Sequence, residues 1–160
     1  LWVGRSQIDS ALRDPDGNVT WRSESPVLDA RGEANAACLA HARLCFGEDG
    51  RLLLDFNPES TGHPRSPDWL ATFRAATNVF GLDLSNTPTT DADVADALDA
   101  CPELESLTLD NTKVTSRSLE RIGLAPNLKY LGLEGCKVAR VKLKALMKRR
   151  PELQISGVWL

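Results

Sequence analysis

The run "CLAHARLC" carries the sharpest chemistry in the chain. Cys38, His41 and Cys45 fall at i, i+3 and i+7, on one face of a helix. Thiolate and imidazole are good zinc ligands, but zinc needs its donors within about 2.0–2.3 Å, and three donors strung over two helical turns are too spread to meet one ion. Two of them can, if His63 or Cys101 joins from elsewhere. The same face carries Ala34 and Ala37, so it reads more simply as the core side of the helix, and no metal is expected. Helical rise sets Cys38 and Cys45 about 10 Å apart, too far for a disulfide. No C-x-x-C pair occurs, and Cys38, Cys45, Cys101 and Cys136 read as reduced, buried, small apolar residues. That favours a reducing, cytoplasmic setting.

Catalytic constellations are absent from the sequence. His41 and His63 are its only histidines, and there is no G-x-S-x-G, no Gly-rich phosphate loop and no H-E-x-x-H. Carboxylates are plentiful but lack an apolar pocket that would shift a pKa. Neither enzyme nor cofactor is expected.

Charge says more. Residues 1–136 hold 12 Lys/Arg against 21 Asp/Glu, whereas residues 137–160 hold 7 Lys/Arg and one acid, within a net charge of −3. The basic stretch 137–150 contains Lys137, Arg140, Lys142, Lys144, Lys148, Arg149 and Arg150. Arg140, Lys144 and Lys148 form one i, i+4, i+8 stripe, with Val141, Leu143, Leu146 and Met147 available for an apolar side. Lys148 to Arg150 suit the negative end of a helix dipole, and Arg140 does not. An acidic protein or an anionic membrane surface can use such a stripe. Nucleic acid fits least, because no aromatic is interleaved and the remainder is acidic.

The elements that position these residues repeat. "VFGLDLSNTPTT" from Val79, "LESLTLDNTKVT" from Leu104 and "LKYLGLEGCKVA" from Leu128 align without gaps, at periods of 25 and 24. Leu82, Leu107 and Leu131 share one place, Leu84, Leu109 and Leu133 another, and Thr87, Thr112 and Cys136 the ninth. An earlier, degenerate unit fits "RLLLDFNPES", with Leu54 and Phe56 inward. Each unit reads as a short strand, a turn and a returning helix, stopped near Pro102, Pro126 or Pro151. Thr90 and Asp93 make a capping box. The ninth place is structural: a small polar side chain there can bond inward-facing backbone between stacked units.

The pattern L-x-x-L-x-L-x-x-(T/C)-x-V is that of a leucine-rich repeat. The stretch from Leu104 to Val138 resembles bacterial leucine-rich repeats of the L-x-x-L-x-L-x-x-T-x-V-T type, with Thr112 as the ladder residue and Thr115 as the helix cap. Ala139 departs from it, standing where the second Thr is expected. The resemblance implies an α/β solenoid of about four β-α units with a curved parallel sheet, used as a binding scaffold, and supplies no catalytic residues. The units run 51–78, 79–103, 104–127 and 128–152, with a closing strand at 153–158.

Residues 1–50 are then the N-terminal cap that an exposed solenoid end requires. "DARGEANAACLAHARLC" reads as an amphipathic helix over 29–45, turned into the first repeat strand by "GEDG". "DPDGN" at 14–18 predicts a hairpin before it, with a short helix at 5–13 as the alternative. Trp2, Trp21 and Trp69 are expected to anchor these parts, and 57–67 to be loop. The chain opens on Leu1 rather than Met, so a preceding segment is expected.

In-register stacking gathers the strands' outward residues on the concave face. Asp55, Asp83, Asp110 and Glu134 form an acidic strip there, beside Ser106, Thr108 and the aromatic Tyr130. Crowded carboxylates repel, at no visible structural benefit, and a basic partner would relieve them. The expected function is a non-enzymatic protein–protein scaffold using this strip. The alternative is a peripheral module that docks an anionic surface or an acidic protein through 137–150. No apolar run suffices for a membrane span.

Overall fold

The computed structural model describes residues 42–46, 51–62, 64–65, 69–75 and 79–158. The expected hairpin, Trp2, Trp21, Cys38, His41 and His63 lie outside them. In chain order the elements are β1 (Arg43–Phe46), β2 (Leu52–Asp55), α1 (Pro58–Thr61), α2 (Trp69–Ala75), β3 (Val79–Asp83), α3 (Asp91–Ala100), β4 (Ser106–Thr108), α4 (Ser118–Ile122), β5 (Tyr130–Gly132), α5 (Arg140–Arg149) and β6 (Gln154–Ser156). The strands form one sheet in their sequence order. β2 to β6 are parallel, and β1 runs antiparallel to β2.

The register follows the repeat. Leu54, Leu82, Leu107, Leu131 and Ile155 lie opposite one another across five strands. The second inward residue of each unit continues the pairing past the strand ends: Phe56 N–H donates to Asp83 O, Leu84 to Thr108 O, Leu109 to Gly132 O and Leu133 to Ser156 O, at 2.8–3.1 Å. Leu54, Phe56, Leu84, Leu107, Leu109 and Leu131 have no exposed surface. Helices α2 to α5 pack side by side and enclose one core with the strands. A parallel sheet usually needs cover on both faces. Here each crossover joins neighbouring strands, helices α2 to α5 share one side, and among the described residues none of them covers the other, open face.

Local chemistry explains the helices. In α3 the Thr90 hydroxyl accepts from Asp93 N–H and the Asp93 carboxylate from Thr90 N–H, which completes the capping box. Val94, Ala97 and Leu98 then face the core at helical spacing. Thr115 precedes α4, and its hydroxyl accepts from Arg117 N–H at 3.3 Å and its carbonyl from Ser118 N–H at 3.2 Å, while Arg117 itself makes no side-chain cap bond. Thr115 also binds Asp91 of the preceding unit through its N–H (2.8 Å) and its hydroxyl (2.6 Å), and Ser118 Oγ reaches the same carboxylate. These hydrogen bonds hold the Asp91 carboxyl below its ordinary range, against the opposing effect of burial. Ala139 caps α5 without a side chain, and its N–H donates to Ser116 Oγ at 2.8 Å.

Two expectations about the first units are corrected. The helix read over 29–45 is not helical at its end, since Arg43–Phe46 pairs as a strand with Leu52–Asp55. Alternation of Arg43 and Cys45 outward serves a strand, and β1 covers an edge that β2 would otherwise leave bare. The boundary expected at residue 50 therefore falls inside the sheet. The segment 57–67 is not all loop: Asn57 caps a helical turn over Pro58–Thr61, which Gly62 ends in the left-handed conformation at φ 74°. Trp69 packs in the first unit's core, edge-on to Phe56 at 5.8 Å and stacked on Phe73 at 6.1 Å.

Inward and outward positions should respond differently to truncation. Leu107→Ala is expected to cost about 2–5 kcal/mol in urea unfolding. Thr108→Ala, its neighbour on the open face, should stay within roughly 0.5 kcal/mol. Equal costs would contradict the assignment of faces.

Candidate functional site

The open face is built by register. One row across the sheet is Leu53, Gly81, Ser106, Tyr130 and Gln154, and the next is Asp55, Asp83, Thr108, Gly132 and Ser156. β1 adds Cys45 opposite Leu53 and Arg43 opposite Asp55. Just past the strand ends come Asn57, Ser85, Asp110 and Glu134. Asp83, Ser106, Thr108, Asp110 and Tyr130 are half-buried and Glu134 is exposed. The Tyr130 hydroxyl hydrogen-bonds Ser156 Oγ at 2.7 Å, which fixes the ring's polar end and orients it on the face.

Asp55 departs from the expected strip. It is 3% exposed, and its Oδ2 pairs with Arg43 Nη2 at 3.0 Å. The first carboxylate is thus already neutralised by an arginine from an antiparallel strand. Among the described residues, no ion pair reaches Asp83, Asp110 or Glu134. Acids at strand starts fare differently. Glu105 is held by Arg51 (2.7 Å) and Lys129 (2.9 Å), whose hydrogen bonds pull its carboxyl below the usual range.

The carboxylates also have a structural duty that the sequence did not reveal. Asp55 Oδ1 accepts from Asn57 N–H at 2.9 Å and Asp83 Oδ1 from Ser85 N–H at 2.8 Å, each closing the turn off its own strand. Asp110 Oδ1 accepts from Glu134 N–H of the next unit at 2.7 Å. That last bond needs Gly132, where a Cβ would come within 2.7 Å of Thr108 Cγ2 and 3.0 Å of Asp110 Oδ1. Short polar acceptors at these places therefore serve the fold, while the charge has an internal partner at Asp55 alone of the three. Burial, and then the nearby Asp55 and Asp110, push the Asp83 carboxyl up, and the hydrogen bonds from Ser85 oppose the shift.

A second ladder went unread in the sequence. Asn86 and Asn111 occupy the left-handed region at φ 58° and 55°, and Gly135 holds the same place at φ 70°. Asn86 Nδ2 donates to Asn57 Oδ1 at 3.2 Å and Asn111 Nδ2 to Asn86 Oδ1 at 3.0 Å, which links three turns behind the acids. The signal was present: Asn, Asn and Gly stand at one repeat position. At the ninth place, Thr87 and Thr112 donate within their own units, to Leu84 O (2.5 Å) and Leu109 O (2.7 Å), and Thr112 Oγ1 also hydrogen-bonds Cys136 Sγ of the next unit at 3.4 Å. Only Cys136 reaches back a unit, its Sγ donating to Leu109 O at 3.0 Å.

The basic stretch divides in two. Arg140, Lys144 and Lys148 are exposed and make no ion pair among the described residues. Arg150 does not belong with them. It is half-buried, its guanidinium donates to Ala125 O (2.7 Å), Leu128 O (3.0 Å) and Gly123 O (3.4 Å), and it pairs with Glu152. It clamps α5 to the turn after α4. Leu143 and Leu146 face the core, leaving Val141, 80% exposed, outside.

Cys45 lies on a strand, not on a helix face shared with His41, and burial raises its thiol above the usual range. No group of three or more His, Cys, Asp or Glu among the described residues can hold a metal ion. No helix among them is long and apolar enough to cross a membrane.

The raised Asp83 carboxyl gives a pH signature. The folded chain holds this proton more tightly than the unfolded chain does. Its stabilising effect is full at about pH 3, below the ordinary aspartate value, and is lost as pH rises through the raised folded value. Asp83→Asn keeps an oxygen for Ser85 N–H and removes the charge. It should therefore match wild type near pH 3 and exceed it in urea midpoint near pH 7. A less stable variant at neutral pH would show that the charge itself supports the fold.

The chain matches no protein-family model and no curated protein sequence.

Proposed function

We propose that the chain is a leucine-rich repeat solenoid of the L-x-x-L-x-L-x-x-T-x-V-T type that works, without catalysis, as a protein-binding scaffold. Its working surface is the open, concave sheet face and its partner is basic. One observation carries this reading: Asp83, Asp110 and Glu134, on successive units of the face opposite the helices, lack any cation among the described residues. Glu105, just before β4, and the first carboxylate, Asp55, have theirs. The constant register supports the solenoid, and hydrogen bonds between turns support a preformed face that loses little entropy on binding. Tyr130 is the aromatic anchor, and Ser106 and Thr108 supply hydroxyls beside it.

A second reading, attachment through 137–150 to an anionic surface or acidic protein, is favoured by Arg140, Lys144 and Lys148, which are exposed and make no ion pair among the described residues. With Leu143 and Leu146 spent on the core, α5 keeps only Val141 and Ala145 as exposed apolar residues, so its attachment to a lipid surface would rest mainly on charge.

The open face is tested with a fluorescent Arg/Lys-rich peptide followed by anisotropy. Wild type should bind it in a salt-sensitive manner. The folded variant D83N/D110N/E134Q should bind about tenfold or more weakly, and Tyr130→Ala should also lose affinity. Equal binding by all three would remove the face from consideration.

A further inference from the structure

The charge pattern names a basic partner already present in the chain. We propose that the acidic strip docks α5 of a second copy, so that molecules associate head to tail; this rests on the reading of the open face as the working surface.

The two surfaces are complementary in charge. Arg140, Lys144 and Lys148 stand on one exposed helix stripe, and Asp83, Asp110 and Glu134 on one open sheet face, with no ion pair to either set among the described residues. They cannot meet within one molecule. α5 belongs to the helix layer, where Leu143 and Leu146 enter the core, and the carboxylates lie across the sheet from that core. A second molecule is required.

Spacing supports the pairing. Successive i, i+4 residues rise about 6.0 Å along a helix, and neighbouring strands lie about 4.8 Å apart. Asp110 and Glu134 stand level on neighbouring units and Asp83 two residues earlier along its own strand, so a helix crossing the strands obliquely offers one cation per unit, with the offset spanned by flexible lysine and arginine stems. Val141 and Ala145, exposed and one turn apart beside the stripe, let α5 approach closely and give Tyr130 an apolar seam. The chain already shows how the face seats a guanidinium. Arg43 from β1 pairs with Asp55 at 3.0 Å, beside Asp83 in the same row, so a second copy would extend that arrangement to Asp83 and, one level further along the strands, to Asp110 and Glu134. The contact is heterologous, each molecule offering one strip and one helix, so it generates chains or rings rather than an isologous dimer.

Sedimentation velocity on the intact chain tests this, with wild type, D83N/D110N/E134Q and R140Q/K144Q/K148Q, each checked for unchanged unfolding. Wild type should grow beyond a dimer with concentration at low salt and dissociate at high salt. Each variant alone should associate about tenfold or more weakly. An equimolar mixture should form a 1:1 heterodimer that grows no further, because it retains a single good contact. The proposal is overturned by a wild type that stays monomeric at low salt, by a variant that associates like wild type, or by a mixture that stays monomeric. If the basic peptide still binds the open face of a monomeric wild type, the scaffold reading stands and only the self-pairing fails. A monomeric wild type that binds phosphatidylserine vesicles through α5 also overturns it, and assigns the stripe to an anionic surface.

Discussion

Everything in this chain depends on successive strands pairing in one constant register. Leu82, Leu107 and Leu131 lie directly opposite one another, so each unit presents its inward leucines to the same layer of core. A slip of one residue would turn every leucine to water and every aspartate inward. The register is enforced beyond the short strands: turn bonds such as Asn86 N–H to Asp110 O (2.8 Å) and Asn111 N–H to Glu134 O (2.6 Å) carry the pairing into the loops. The strands need be only three residues long because the ladder does not end with them.

That constraint also creates the charged face. Where the chain leaves each strand, a backbone N–H needs an acceptor, and a short carboxylate supplies one from Asp55, Asp83 or Asp110. Asn would supply an oxygen equally well. The fold thus explains why a short acceptor stands at each place and, through Arg43, the charge of Asp55, and leaves the negative charge of Asp83 and Asp110 unexplained. At Asp83 the charge even opposes folding, since burial and its neighbours raise the carboxyl. A group that the fold needs only as an acceptor, kept as an acid, is where an interaction outside the molecule becomes the economical explanation.

Periodicity made most of the fold legible. The inward leucines, the strand order they imply, the Thr90–Asp93 box and the helix ends near the prolines follow from spacing and from backbone chemistry local to each residue. What stayed hidden depends on relations between units or on pairing at a distance. β1 reads as the tail of a helix because "ARLC" is ambiguous over so short a run, and only its pairing with β2 decides the matter. Asp55 looked free because its neutraliser, Arg43, belongs to that misread segment. Arg150 looked like one more surface cation, and its three carbonyl acceptors lie 22 to 27 residues away. The outward residues themselves were legible, since alternation along a strand gives faces directly.

The asparagine ladder bears on how such a chain can lengthen. Asn86 both gives and takes a side-chain amide bond, so a copy of its unit inserted beside it would find an acceptor on one side and a donor on the other. Gly135 breaks this symmetry. A Cβ there would fall 2.2 Å from Asn111 Oδ1, and without a side chain the position offers nothing to a following amide. Duplication within residues 79–127 preserves the ladder, and a unit appended after the last one does not. The amide ladder is thus extensible within the chain and stops at Gly135, whereas the sheet itself continues past that turn into β6.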